Sequence, residues 1–294
     1  MIDAHVHLGK NSYYLIDKVE FGDIVPTDLI YEDLKRTMKK NKVERAVVFP
    51  FPSSSEIVLK GLKNGKTELF ALRTYYEFAN NYILSASNED KSLIPFLSVI
   101  PNKEESLSYL EKRLKEENVY GLKFHGPRDR LPISSLEEPR LIDMIRENDL
   151  SLTVHTWHPD YKDKEYEDPM ELVEIAKRHP EIRIAAAHFG MFSQRFVDEA
   201  AKLRNFFFDC SPLSYLCSLE DKAIDKIEAD YENPNSVLKK LLEISPYNVT
   251  WGSDAPFCSL NNGSYEKEKG VLDGLTEEEI YRVTEENTMR FLGL

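Results

Sequence analysis

The chain has 294 residues, 41% hydrophobic and 30% charged, an ordinary globular balance with enough apolar surface for a large core. The 38 basic and 51 acidic residues give a net charge of −13, which argues against a nucleic-acid or anionic-membrane partner and leaves room for a small, anionic substrate in a locally basic pocket. Cys210, Cys217 and Cys258 are odd in number and lack C-x-x-C spacing, so neither a disulfide framework nor a cysteine zinc site is indicated, and a reducing, cytoplasmic setting fits best.

The first element is the short run Ile2 to Leu8, apolar at several positions and free of Gly and Pro, which predicts a strand. A polar and aromatic segment follows, with Asp28 as a helix cap before LIYEDLKRTMKKN. ERAVVFPFP then reads as a buried strand stopped by Pro50 and Pro52. Beyond a helical stretch from Glu77 to Asn88 the alternation continues as strand LIPFLSVI, helix KEESLSYLEKRLKEE, strand VYGLKFH, helix EPRLIDMIREN and strand LSLTVHT. Helix DPMELVEIAKRH, strand IRIAAAH, a helix from Gln194 to Lys202 and strand NFFFDCS come next. A helix from Asn235 to Ile244, strand NVTWGSD and the closing helix TEEEIYRVTEENTMRFLG complete the chain.

Short apolar strands alternating with amphipathic helices imply a parallel sheet covered by helices, and eight such units are the number that closes a barrel. The fold expected is an α/β (β/α)8 TIM barrel, with residues 1–294 as one domain. No stretch approaches the length of apolar chain that spans a membrane, and the start carries no basic region followed by an apolar run, so a protein neither secreted nor membrane-spanning is expected. The pattern is compatible with a homo-oligomer. Four strand-to-helix connections are long, about 9 to 27, 50 to 76, 210 to 234 and 254 to 275, and long connections in compact domains are more often functional than idle. The first and third, carrying Tyr13, Tyr14, Phe21 and Tyr215, are expected to cover the site.

Within DAHVH, His5 and His7 share one face of the first strand, with Asp3 beside them, and two imidazoles with a carboxylate suit a divalent metal. Taken alone, an H-x-H pair is more often a half-buried strand whose polar face carries histidine. The other strand ends sharpen the reading: Lys123 and His125 on the fourth, His155 on the fifth, His188 on the sixth, Asp209 on the seventh and Asp254 on the eighth. In a barrel all of them meet on one rim, the face where such enzymes build their active sites. His158 lies just beyond the fifth strand, and His179 ends a helix, where the dipole favours it.

With DAHVH, GLKFHGP, LTVHTW, AAAHFG, WGSDAPF and the ending ENTMRFLGL spread in this order over nearly the whole chain, the sequence resembles the amidohydrolase superfamily. The likeness is to its shorter amidohydrolase-2 branch, which includes aminocarboxymuconate-semialdehyde decarboxylase. The resemblance implies one divalent metal, zinc in the first instance with Mn2+ or a second ion as alternatives, held by His5, His7, His155 and Asp254, with His188 as a catalytic or second-metal residue. Such a metal lowers the pKa of its water to about 7, and Asp254 both touches the ion and accepts the proton.

For Lys123 two roles stand open: a carboxylated bridge between two ions, or a hydrogen bond or substrate contact shared with His125. Asp209 is either a partner of a ligand histidine or a solvated turn carboxylate. Arg128, Arg130, Trp157, His158, Arg195 and Tyr215 lie just past strand ends as candidate substrate contacts, arginine suiting a carboxylate through paired hydrogen bonds. The function expected is hydrolysis of an ester, lactone or amide of a small polar or anionic molecule. The alternatives are non-oxidative decarboxylation on the same ligands and, from another class, a non-catalytic metal-binding barrel.

Overall fold

The computed structural model describes residues 1–9, 29–51, 68–160 and 164–294. Eight parallel strands follow one another in sequence order: β1 Ile2–Leu8, β2 Arg45–Pro50, β3 Leu93–Ser98, β4 Gly121–Phe124, β5 Ser151–His155, β6 Ile184–Ala187, β7 Phe206–Asp209 and β8 Val249–Thr250. The two edges are stitched together. Ala4 N–H donates to Trp251 O at 3.1 Å, Asp254 N–H to His5 O at 2.8 Å and His7 N–H to Ala255 O at 2.7 Å. This is the (β/α)8 barrel that the alternation predicts, and both faces of the sheet are covered, which is why its strands read as near-continuous apolar runs.

The lower interior is filled by Ile2, Val47, Phe49, Ile94, Phe96, Ala185 and Phe207. Phe291, on the last helix, plugs that end with its ring 5.3 Å from Phe207 and 6.0 Å from Phe96. Ile2 belongs to this interior cluster, yet His5 and His7 also face inward, which strict alternation from Ile2 forbids. The register of β1 against β2 slips by one residue between Asp3 and Val6. Asp3 is thereby turned away from the histidines it was expected to join. Its oxygens accept from His5 N–H (3.1 Å), Ser253 N–H (2.9 Å) and the Tyr265 hydroxyl (2.7 Å), so it holds β1 to the β8 segment. Gly252 completes this seam: a Cβ there would lie 2.7 Å from His5 Cβ.

Several boundaries differ from the periodicity. The second helix runs Glu68–Glu89 rather than starting at Glu77, since its first turns contain no Gly or Pro to stop it. The closing helix is broken into Glu277–Tyr281, a π turn Arg282–Glu286 and Asn287–Leu292. Within that π turn the Val283 carbonyl accepts the Trp251 N–H at 3.0 Å, anchoring the β8 segment. The connections at 210 to 234 and 254 to 275 carry short helices, Leu213–Ser218 and Tyr265–Gly270. The Asp28 cap, Pro52, Tyr13, Tyr14 and Phe21 lie outside the described residues. Among the described residues no helix is long and apolar enough to cross a membrane.

After β6 the chain makes a left-handed turn through five consecutive residues, His188 to Phe192, with φ between 48° and 69°. Outside glycine this conformation costs roughly 1–2 kcal/mol per residue. Burial of Phe189, Met191 and Phe192 opposes that cost, as do the hydrogen bonds from Ala223 N–H to Met191 O (3.2 Å) and Ile227 N–H to Phe192 O (2.9 Å).

Glu268 is fully buried on the Tyr265–Gly270 helix and accepts the backbone N–H groups of Ser214 (2.9 Å) and Tyr215 (3.0 Å), fastening the loop after β7. Burial pushes its carboxyl up to about 7 from the ordinary 4.5. The folded chain therefore keeps this proton where the unfolded chain has lost it. The stability Glu268 supports is full below pH 4.5 and declines as pH rises toward 7. Thermal melts of Glu268→Gln against the parent should show the variant gaining relative stability from pH 5 to pH 8, by roughly 1–3 kcal/mol. Parallel curves across that range would show that the buried carboxyl is not held protonated.

Candidate metal centre

His5, His7 and Asp254 bring three ligand atoms within 4.8 Å of one another, all buried. The tautomers follow from what lies behind each ring. His7 Nδ1 is 2.9 Å from the Pro50 carbonyl, which can only accept, so Nδ1 carries the proton. His5 Nδ1 is 2.5 Å from Asp209 Oδ2 and donates to it. Both Nε2 atoms are then bare, and they face each other at 3.2 Å. Asp254 Oδ1 lies 3.4 Å from the first and 3.5 Å from the second, buried and without a hydrogen-bond partner among the described residues. Three lone pairs converging on one point repel unless a cation or a proton lies between them. Burial holds both histidines well below their ordinary pKa, Lys123 adding to the effect on His5 and His5 to that on His7, so they are neutral, the form in which imidazole ligates metal. The donor set fits a divalent metal. Asp209, for which a ligand-histidine partner and a solvated turn carboxylate both stood open, is buried against His5.

His155 and His188 form a second pair beside the first. His188 Nδ1 donates to Ser211 O at 2.7 Å, and its Nε2 lies 3.0 Å from His155 Nδ1. His155 Nε2 is 3.2 Å from Glu167, a buried carboxylate that nothing in the local sequence pattern singles out. Glu167 stands beside Nε2, while Nδ1 faces His188 Nε2 rather than the point where His5, His7 and Asp254 converge. Burial presses both histidines down to about 3, with His155 and Lys123 adding to the effect on His188 and Lys123 to that on His155. His155 is not among the three convergent atoms. It stands one ring further out, its neighbour His188 lying 5.8 Å from His5 between ring centroids.

Lys123 is buried, with Nζ 5.1 Å above the Phe49 ring and no hydrogen-bond partner among the described residues. Burial lowers it to about 8 against the pull of Asp209 and Asp254. Burial likewise raises Asp254 well above the ordinary carboxylate range, opposed by Lys123. Like His188, Asp254 has a left-handed backbone, φ 53°. His125 stacks on His155 at 4.0 Å and 14°, and its Nδ1 accepts the Arg128 N–H at 3.2 Å, so Nε2 is its donor.

The outer candidates divide. Trp157 lies nearly parallel to His155, at 6.4 Å and 13°, and edge-on to His188 at 6.3 Å. Buried His158 is 3.0 Å from Asp221. The Arg128 guanidinium is clasped by Asp129 (2.8 and 2.5 Å) and Ser98 (3.1 Å), which occupies the paired geometry expected for a substrate carboxylate. Arg195 is exposed and pairs with Asp160 at 3.3 Å; Arg130 is exposed too. Tyr215 is half-buried, its phenol raised by burial and by the Asp254 charge. His179 caps the Pro169–Arg178 helix, as expected of it.

Fold and site together define a barrel enzyme built to hold a divalent metal. The amidohydrolase family model matches residues 2–294, and the chain belongs to that family. Solved barrels of the same architecture include 5-carboxyvanillate decarboxylase from Sphingomonas paucimobilis, with TM-score 0.71, 13% identity, and coverage of 100% of this chain and 99% of that one. A probable 2-pyrone-4,6-dicarboxylic acid hydrolase from Acinetobacter baumannii, with citric acid bound, gives TM-score 0.66 and 14% identity over 100% and 99% of the two chains. A zinc-bound amidohydrolase from Burkholderia multivorans gives TM-score 0.67 and 15% identity, again over 100% and 99%. At these identities the likeness is one of fold. No curated protein sequence matches significantly.

Ligand binding to the folded chain alone stabilises it, by about 2.7 kcal/mol at a hundredfold excess over Kd. Adding zinc or manganese to chelator-stripped protein should therefore raise Tm by several degrees, and His5→Ala and His7→Ala should lose most of the rise. Asp209→Asn should weaken metal affinity by roughly 10- to 100-fold, the usual worth of a residue that orients a ligand histidine. Calorimetric melts check this, with His179→Ala as control. An equal rise in parent and His5→Ala would remove the assignment.

Proposed function

We propose that this amidohydrolase is a metal-dependent hydrolase that cleaves an ester, lactone or amide bond of a small, flat, anionic substrate, using zinc held by His5, His7 and Asp254, with His155 one ring further out. One observation carries the reading: Asp254 Oδ1 is buried beside two bare imidazole nitrogens, and no donor among the described residues occupies it. A bound divalent cation supplies Lewis acidity, polarising an oxygen and bringing the pKa of water from roughly 16 to about 7.

The chain's own residues do the rest. Asp254 takes a proton from the attacking water and returns it to the leaving group. His188, its Nδ1 spent on Ser211 O and its Nε2 3.0 Å from His155 Nδ1, holds the His155 ring in place beside the reacting groups. Lys123 puts positive charge under an anionic substrate from its place over Phe49. Trp157 and the Nε2–H of His125 wall one side of the substrate, their rings lying nearly parallel to His155. A flat molecule fits such a wall better than a branched one. The likeness of the barrel to a decarboxylase supports a second reading on the same residues, loss of carbon dioxide from an aromatic carboxylate.

Screening lactones, amides and aromatic carboxylates with zinc-loaded protein in 18O-water separates the two: hydrolysis places 18O in the organic product, whereas decarboxylation gives an organic product that has lost one carbon and carries no 18O. Asp254→Asn keeps an oxygen for the ion and removes the proton acceptor. It should retain most of its metal while turnover falls about 10²-fold or more. Near-parental turnover with metal retained would make Asp254 a ligand only, and the hydrolytic proposal would fail.

A further inference from the structure

Asp221 lies on the loop after β7, its side chain 55% exposed, and by position it reads as a surface charge. Both of its oxygens are nevertheless engaged. Oδ2 accepts the Trp157 indole N–H at 3.1 Å, and Oδ1 accepts from His158 Nε2 at 3.0 Å. An indole has a single polar hydrogen, so the acceptor that takes it restrains the tilt of the ring. That ring is the one beside both His155 and His188. The loop is also held independently of Asp221. Ala223 and Ile227 donate to Met191 O and Phe192 O, and Gln194 N–H donates to Asp225 O at 2.9 Å. The same segment thus braces the left-handed turn that carries His188 and, through one carboxylate, the indole across from it.

We propose that Asp221 is a positioning residue: its carboxylate sets the tilt of Trp157 and thereby the width of the slot that admits a flat substrate. The effect on substrate rests on the function proposed above; the hold on the indole does not. Replacing Asp221 leaves the loop anchored and releases the indole together with the His158 ring.

Two tryptophans are present, and Trp251 is fully buried, so acrylamide quenching of indole fluorescence reports on Trp157, with Trp157→Phe giving the baseline. In the zinc-loaded full chain, Asp221→Ala should make Trp157 clearly more quenchable, with a fall in Tm of no more than a few degrees because buried His158 also loses its acceptor. Asp221→Asn, which keeps one acceptor oxygen, should fall between. The flat carboxylate 4-nitrobenzoate, which quenches indole on contact, should bind Asp221→Ala about tenfold more weakly, the scale expected for losing a hydrogen bond to a charged group. Quenching by acrylamide that is the same in parent and both variants overturns the proposal. If 4-nitrobenzoate fails to quench the parent, the flat-substrate reading fails, and the acrylamide series still decides the role of Asp221.

Discussion

The structure is organised around an electrostatic constraint: two imidazole nitrogens, both stripped of protons by their partners behind, are pressed to 3.2 Å inside a barrel with a buried carboxylate oxygen beside them. Neither ring can relieve the other by changing tautomer. Pro50 O behind His7 has no proton to give, and Asp209 behind His5 is already the acceptor of its N–H. The arrangement is stable only with positive charge at the point of convergence, and the depressed basicity of the histidines makes a metal ion a better occupant than protons on the rings. Lys123 adds to the same balance from below, a cation tolerated in the interior because Asp209 and Asp254 face it.

Holding this point requires departures from regular structure, and they cluster where the chemistry is. The register slip in β1 turns His5 and His7 inward above Ile2. Asp254 and His188 both adopt left-handed backbone, the latter as the first residue of a five-residue left-handed turn. In that turn Gly190 is the least costly member, and a Cβ on it would press within 2.7 Å of the Phe196 ring. These strains are carried by an unstrained base. Phe49, Phe96, Phe207 and Phe291 fill the lower barrel, and the Phe49 ring is the floor on which His5 rests edge-on at 4.7 Å.

Much of this was legible in the sequence, for a definable reason. Strand and helix periods are local, so the eight units and the polar residues at their ends can be read without knowing what each one touches. Lys123, His125, His155, His188, Asp209 and Asp254 come to the upper rim because strand ends converge in any closed barrel. What could not be read was whatever depends on pairing between distant segments. Asp3 sits in the same motif as His5 and His7, and only the slip against β2 and the reach of Ser253 and Tyr265 make it a brace. Glu167, Glu268 and Asp221 are ordinary loop or helix acids until folding sets them against His155, the Ser214 and Tyr215 amides, and Trp157. Arg128 follows the GLKFH strand closely enough to suggest a substrate contact, but the adjacent Asp129 clasps it, a local pairing that residue order alone does not reveal.

The most direct test of the central claim is anomalous diffraction at the zinc absorption edge from crystals grown with zinc. The expected result is a peak in contact with His5 Nε2, His7 Nε2 and Asp254 Oδ1 at roughly 2.0–2.2 Å, the usual range for zinc on nitrogen and oxygen. A well-ordered barrel with no peak at that point, or with its zinc bound only by other residues, would contradict it.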